Sequence, residues 1–196
     1  MSEEAKEGVK REAVGWAKTV IFAVILALFI NHVVIVNAVV PSGSMETTIT
    51  APSRIVADRL AYLFSNPKRF DVVVFWFPDD PTQRFVKRVI GLPGETVNIR
   101  DGKVYITSPD GTEDPVPLDD SFAQGSGGNP SGDYAGPPAG DWGPFTVPAG
   151  CYFMMGDNRN ISFDSRKWDE PYVAKSAIIG KAVLEYFPHV KSLLRH

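Results

Sequence analysis

The 196-residue chain is long enough for one anchored domain of ordinary size, and at 44% hydrophobic and 22% charged its bulk is globular rather than disordered. Its 20 Lys and Arg against 23 Asp and Glu leave a net charge of -3, which gives no sign of a nucleic-acid partner. A single cysteine, Cys151, excludes an intrachain disulfide, and no Cys/His spacing suits zinc, so neither a metal nor another cofactor is expected.

In chain order, residues 1–11 alternate charges (Glu3, Glu4, Lys6, Glu7, Lys10, Arg11) and read as a solvated tail. Residues 20–30 are uninterruptedly apolar but too few to span a bilayer. Extended to 16–36, the run makes 21 residues, about 31 Å of helix, against a hydrocarbon core of roughly 30 Å. Trp16 would sit at one interface and Lys18 would snorkel to it, while Asn31 and His32 fall near the far end. Lys6, Lys10, Arg11 and Lys18 precede the run, so the positive-inside rule places the N-terminus in the cytoplasm. The expected division is a cytoplasmic tail over 1–15, a transmembrane helix over 16–36 and an extracytoplasmic domain over 37–196 in the cell membrane. A buried core helix and a cleavable signal peptide are the competing readings, the latter because Val36-Asn37-Ala38 has small-residue cleavage character.

Beyond Ser44 the pattern is of short strands. Residues 71–77 are apolar on both faces, as a doubly buried strand requires, although a strand edge against lipid around Phe75, Trp76 and Phe77, or a groove near Met45, also fits. A second strand over 84–90 stops at Gly91-Leu92-Pro93-Gly94, where Pro and Gly suit a type II turn. Residues 96–100 and 103–107 flank Asp101-Gly102, a hairpin signal. Residues 108–149 are rich in Gly, Pro and Asp and read as a partly mobile surface insertion, with Trp142 and Phe145 docking its second half. Strands resume at 150–155 and at 177–187, the latter bent at Gly180.

A serine nucleophile needs a base. Of three histidines, His32 lies in the apolar run and His189 and His196 in the last eight residues. Lys87 is the better candidate: Phe85, Val86, Val89 and Ile90 would desolvate its amine and lower its pKa from about 10.4. Arg88 would face away from Lys87 and need its own carboxylate. Spacing alone leaves an exposed strand lysine open. The segment 156–166 gathers Asp, Asn, Ser and Arg, with Asp164 and Arg166 able to pair.

Taken together, Ser44-Met45, then Lys87-Arg88-Val89-Ile90-Gly91-Leu92-Pro93-Gly94, then Gly156-Asp157-Asn158-Arg159 with Asp164-Ser165-Arg166, resemble the type I signal peptidases of bacteria. The resemblance implies a mostly β fold of the signal-peptidase and repressor-protease kind, with one N-terminal transmembrane helix. It implies a membrane-anchored serine endopeptidase that removes signal peptides from exported preproteins after small residues. Its partners would be those signal peptides and the lipid bilayer, with no nucleic acid and no metal. By resemblance Ser44 is the nucleophile and Lys87 the general base. Ser42 and the Ser44 N–H form the oxyanion hole, and Ser162 orients the lysine. Asp164 and Arg166 are a supporting ion pair, and Val40 and Val86 wall the pocket for small side chains.

Two positions depart from the family pattern: Thr47 stands where proline is usual, which would loosen the segment after the nucleophile, and Ile161 replaces a polar residue. Ser65-Asn66-Pro67-Lys68 matches a penicillin-binding pattern without its companion motifs. A self-cleaving Ser-Lys protein of the repressor type and an inactive anchored peptide-binding module are the alternative functions.

Overall fold

A computed structural model describes residues 3–112, 117–119, 121–123 and 141–194. The chain opens with one long helix, α1 (Glu3–Phe29), which widens into a π-helical turn at Ile30–Val34. The helix therefore begins inside the charged stretch expected as a tail, and it ends before residue 36. The early end follows from the strand pairing that takes over there. Val33, Val34, Ile35 and Val36 are β-branched, and such residues pack better on a pleated surface than on a helix. Strand β1 (Ile35–Val40) uses them, pairing Ile35 with Asp58 through Val40 with Ser53 on β2 (Ser53–Asp58). None of the 24 residues Arg11–Val34 is buried, and the Val34 carbonyl meets the sheet through the Arg59 N–H at 2.9 Å, so α1 is not a core helix.

Nine further strands follow: β3 (Val72–Trp76), β4 (Arg84–Gly91), β5 (Thr96–Arg100), β6 (Lys103–Thr107), β7 (Trp142–Thr146), β8 (Cys151–Met155), β9 (Tyr172–Ala174), β10 (Ile178–Phe187) and β11 (Lys191–Ser192). They make the fold mostly β. The larger sheet runs β1-β2-β10-β3-β4-β8-β9 with β11 beside β10, and the smaller runs β6-β5-β7. The large sheet curls until the turn after β1 meets β4, four places along the strand order.

β3 shows why the sequence there has no polar face. Val72 and Val74 enter one core with Val36, Val40, Met45 and Val86; Val73 and Phe75 enter another with Val89, Tyr152 and Trp168. Phe75, Phe77 and Met45 are buried in these cores, so they offer nothing to lipid; in β3 only Trp76 is exposed. The turn after β4 closes through the Glu95 N–H to the Leu92 carbonyl at 3.1 Å, with Gly94 at φ +85° as a type II turn requires. Asp101 and Gly102 both have positive φ, the conformation a two-residue hairpin needs. The bend expected at Gly180 is a register shift between Ile178 and Gly180.

The segment 108–149 is more ordered at its end than its composition suggests. β7 pairs Val97 with Phe145 and Ile99 with Trp142, and the Phe145 ring stacks against Phe153 at 4.8 Å. Gly143 and Pro144 interrupt the alternation that marks a strand, which is why β7 does not read as one. The expectation of a mobile insertion otherwise falls on 113–116, 120 and 124–140, outside the described residues.

Candidate active site

Pro41 ends β1 and a tight 3-10 turn, Gly43–Met45, follows. Met45 is fully buried in the first core, and Ile49, also fully buried, returns its N–H to the Met45 carbonyl at 2.8 Å. These two apolar anchors fix the turn and bring Ser44 inward. Lys87 comes from the middle of β4, paired with Val73 on β3. Its Nζ donates to Ser44 Oγ at 2.6 Å, and both side chains are buried. Burial pushes the Lys87 pKa down to about 8; Asp164 and Asp157 oppose the fall and Arg166 aids it. The Phe85 ring lies 5.5 Å from the amine.

Ser42 Oγ stands 3.5 Å from Ser44 Oγ, at the weak limit of a hydrogen bond. Val40 and Val86 line the same cleft as Ser42, Ser44 and Lys87, a space of about 340 Å³ with Ile161 and Phe163 at its mouth. Among the described residues no histidine lines it.

The segment 156–166 folds over Ser44 from behind. The Asn158 N–H donates to the Ser44 carbonyl at 3.1 Å. Asp164 and Arg166 form a fully buried bidentate pair, Nε to Oδ1 and Nη2 to Oδ2 both at 2.8 Å. Arg166 also reaches the Arg159 carbonyl, and Asp164 accepts the Gly156 N–H. Burial alone would raise the Asp164 pKa, but the Arg166 hydrogen bonds and charge, with the Gly156 N–H and the neighbouring Ser162, hold it below the ordinary value. The buried Ser162 hydroxyl lies beside Asp164 outside hydrogen-bond geometry, and the lysine's hydrogen bond goes to Ser44 rather than to Ser162.

Gly156 is where this segment touches the turn that carries Ser44. A methyl group on its Cα would fall inside contact distance of both Ser162 Oγ and the Ser44 carbonyl oxygen. Gly156→Ala is therefore expected to displace Ser44 and lower kcat on the order of 100-fold, a loss typical of an ångström-scale misplacement. Steady-state kinetics of the variant check this; an unchanged kcat would mean the turn yields freely.

Two features did not emerge from the sequence reading. The carboxylate that Arg88 requires is Asp157, bound at 2.7 Å (Nε) and 2.6 Å (Nη2), with both groups fully buried. Its place in the 156–166 segment was the available signal. The other concerns Thr47, which is not loose: its Oγ1 donates to the Phe122 carbonyl at 3.0 Å, and Lys191 Nζ donates to the Thr47 and Thr48 carbonyls at 3.4 and 3.1 Å. Side-chain and carbonyl contacts hold what a proline ring would have held. Ser65 and Lys68 sit in a turn where Ser65 Oγ bonds the Ala61 carbonyl, an ordinary structural role.

A serine hydroxyl bonded to a desolvated lysine, in a cleft of a mostly β domain, is the equipment of a serine peptidase. The model of the family described as signal peptidase, peptidase S26, matches residues 13–187, and the chain belongs to that family of serine endopeptidases. It is 36% identical over 178 residues to signal peptidase I of Leptolyngbya laminosa, covering 87% of this chain and 78% of that protein. It is 33% identical over 187 residues to signal peptidase I of Bacillus amyloliquefaciens, covering 95% of each. A crystal structure of a signal peptidase I from Enterococcus faecalis V583 aligns at 33% identity and a TM-score of 0.45, over 60% of this chain and 97% of that one.

Proposed function

We propose that the protein is a membrane-anchored endopeptidase that removes signal peptides from exported preproteins with a Ser44–Lys87 dyad. The observation that carries this reading is the 2.6 Å hydrogen bond between Lys87 Nζ and Ser44 Oγ inside a buried cleft. Neutral Lys87 takes the Ser44 proton as Oγ attacks the scissile carbonyl. The oxyanion is met by the Ser42 hydroxyl and the Ser44 N–H. The lysine ammonium then gives its proton to the leaving amine, and Lys87 activates the water that releases the acyl group. The Asp164–Arg166 pair sets the charge around the lysine from behind.

Two open strand edges flank the cleft. Among the described residues β1 has a partner on one side, and β8 pairs with β4 from Arg88 to Gly91, leaving 84–87 unpaired on that side. An extended peptide fits between such edges by strand addition. Val40 and Val86 then leave room for small side chains before the cut. The helical window Arg11–Val34, about 36 Å long, supplies the anchor, with the N-terminus cytoplasmic and the catalytic domain on the far side.

The test is cleavage of a precursor carrying an Ala-X-Ala signal peptide by the detergent-solubilised full chain, with Ser44→Ala in parallel. The expected result is one cut after the second Ala in the wild type and a loss on the order of 10³-fold or more in the variant. If the wild type binds the precursor and leaves it whole, the peptide-binding module is the correct reading.

A further inference from the structure

Lys87 and Arg88 are neighbours on β4 and face opposite ways. The Arg88 guanidinium is fully buried and joins four segments distant in sequence. It pairs with Asp157, donates to the Phe70 carbonyl at 2.7 Å and to Thr48 Oγ1 at 2.9 Å, and lies 4.2 Å under the ring of Phe122. Phe122 comes from the segment 108–149. Its ring also meets Phe70 edge-on at 5.2 Å, and its carbonyl accepts the Thr47 hydroxyl at 3.0 Å.

We infer that the short turn at residues 121–123 is coupled to the dyad through Phe122, which acts as a positioning residue for the loop that carries Ser44. The inference rests on the Ser44–Lys87 reading of the site. The in-plane edges of the guanidinium are occupied by Asp157, Thr48 and a carbonyl, and the aromatic ring covers one face. A ring in that place excludes water from the Arg88–Asp157 pair, and a dry pair holds its geometry more firmly than a wet one. Both ends of the pair lead to the nucleophile. Arg88 holds Thr48, four residues past Ser44, and Asp157 precedes Asn158, whose N–H holds the Ser44 carbonyl. Thr47 closes the ring of contacts by binding the backbone of Phe122 itself. Phe122 therefore grips the Ser44 loop at Thr47 directly and at Thr48 through Arg88.

The test uses the full chain in detergent, with kinetics measured well below the unfolding midpoint of each variant. Phe122→Ala is expected to lower kcat about tenfold with KM within about twofold, because the substrate cleft is untouched while the nucleophile is misplaced. Phe122→Tyr keeps the ring and should restore most of the rate. Thr47→Val is expected to lose about threefold, and combining it with Phe122→Ala should add little, since the contacts act as one unit. A Phe122→Ala protein with wild-type kcat and merely a lower midpoint would reduce Phe122 to a packing role and overturn the inference. Hydrogen exchange separates this from failure of the dyad itself. In Phe122→Ala the amides of Ile49 and Asn158 should exchange faster whether or not the wild type cleaves, and unchanged protection there would also overturn it.

Discussion

Lys87→Met is expected to abolish cleavage and, at neutral pH, to stabilise the protein. The two effects share one cause. Folding strips water from the Lys87 amine and lowers its pKa from an ordinary 10.5 to about 8. Below pH 8 the amine is charged in both states, and the folded state bears the full desolvation cost, about 3 kcal/mol for a fall of that size. Between about pH 8 and 10.5 the folded amine is neutral while the unfolded one still holds its proton. The unfolded state then binds more protons, so stability rises with pH across that window and the cost is gone above it. Methionine has a similar length and no charge to desolvate, so the variant gains up to about 3 kcal/mol at pH 7 and nothing near pH 11. Urea unfolding at the two pH values measures this. The same pKa sets the activity: wild-type kcat/KM should climb with pH to a midpoint near 8 as the base is uncovered, and the variant should fall on the order of 10⁴-fold. A variant that still cut at the wild-type rate would place the base elsewhere.

Asp157→Ala should be among the most damaging single substitutions outside the cleft. It leaves the fully buried Arg88 guanidinium without its counter-charge. Removing one member of a buried pair typically costs about 3–5 kcal/mol, because the survivor keeps its desolvation penalty without its attraction. Replacing both members, Arg88→Met with Asp157→Leu, should recover most of that loss in urea unfolding while leaving activity low, since Thr48 and Asn158 lose their supports. If Asp157→Ala cost under about 1 kcal/mol, water would have to reach Arg88, contrary to its burial.

What the sequence made legible was what short-range chemistry decides. The doubly buried β3, the Asp101-Gly102 hairpin and the Leu92–Glu95 turn each depend on a few adjacent residues. The end of α1 was not legible. An apolar, β-branched run serves a membrane helix and a buried strand equally, and only the pairing with β2 decides that Ile35 and Val36 belong to the strand. β7 was hidden because Gly143 and Pro144 break its period. At the site, the need for a partner to Arg88 was readable from strand alternation, but its identity was not, since Asp157 lies 69 residues away. Ser44 and Lys87 are 43 residues apart, and no periodicity reports a contact across that distance; apolar neighbours made Lys87 a candidate base, but only likeness to a family pattern joined it to Ser44. Phe122 had no signal at all, because one aromatic in a Gly- and Pro-rich stretch looks like any other.

The Asn158 N–H that holds the Ser44 carbonyl has a consequence for the growing chain. Chains emerge N-terminus first at about 5–20 residues per second, so Ser44 is made on the order of ten seconds before the segment that braces it. Throughout that interval Lys87 lacks the charges that tune it and Arg88 has no carboxylate. On the Ser44–Lys87 reading, a nascent chain holds its serine unarmed and can cut only once its last third has been translated.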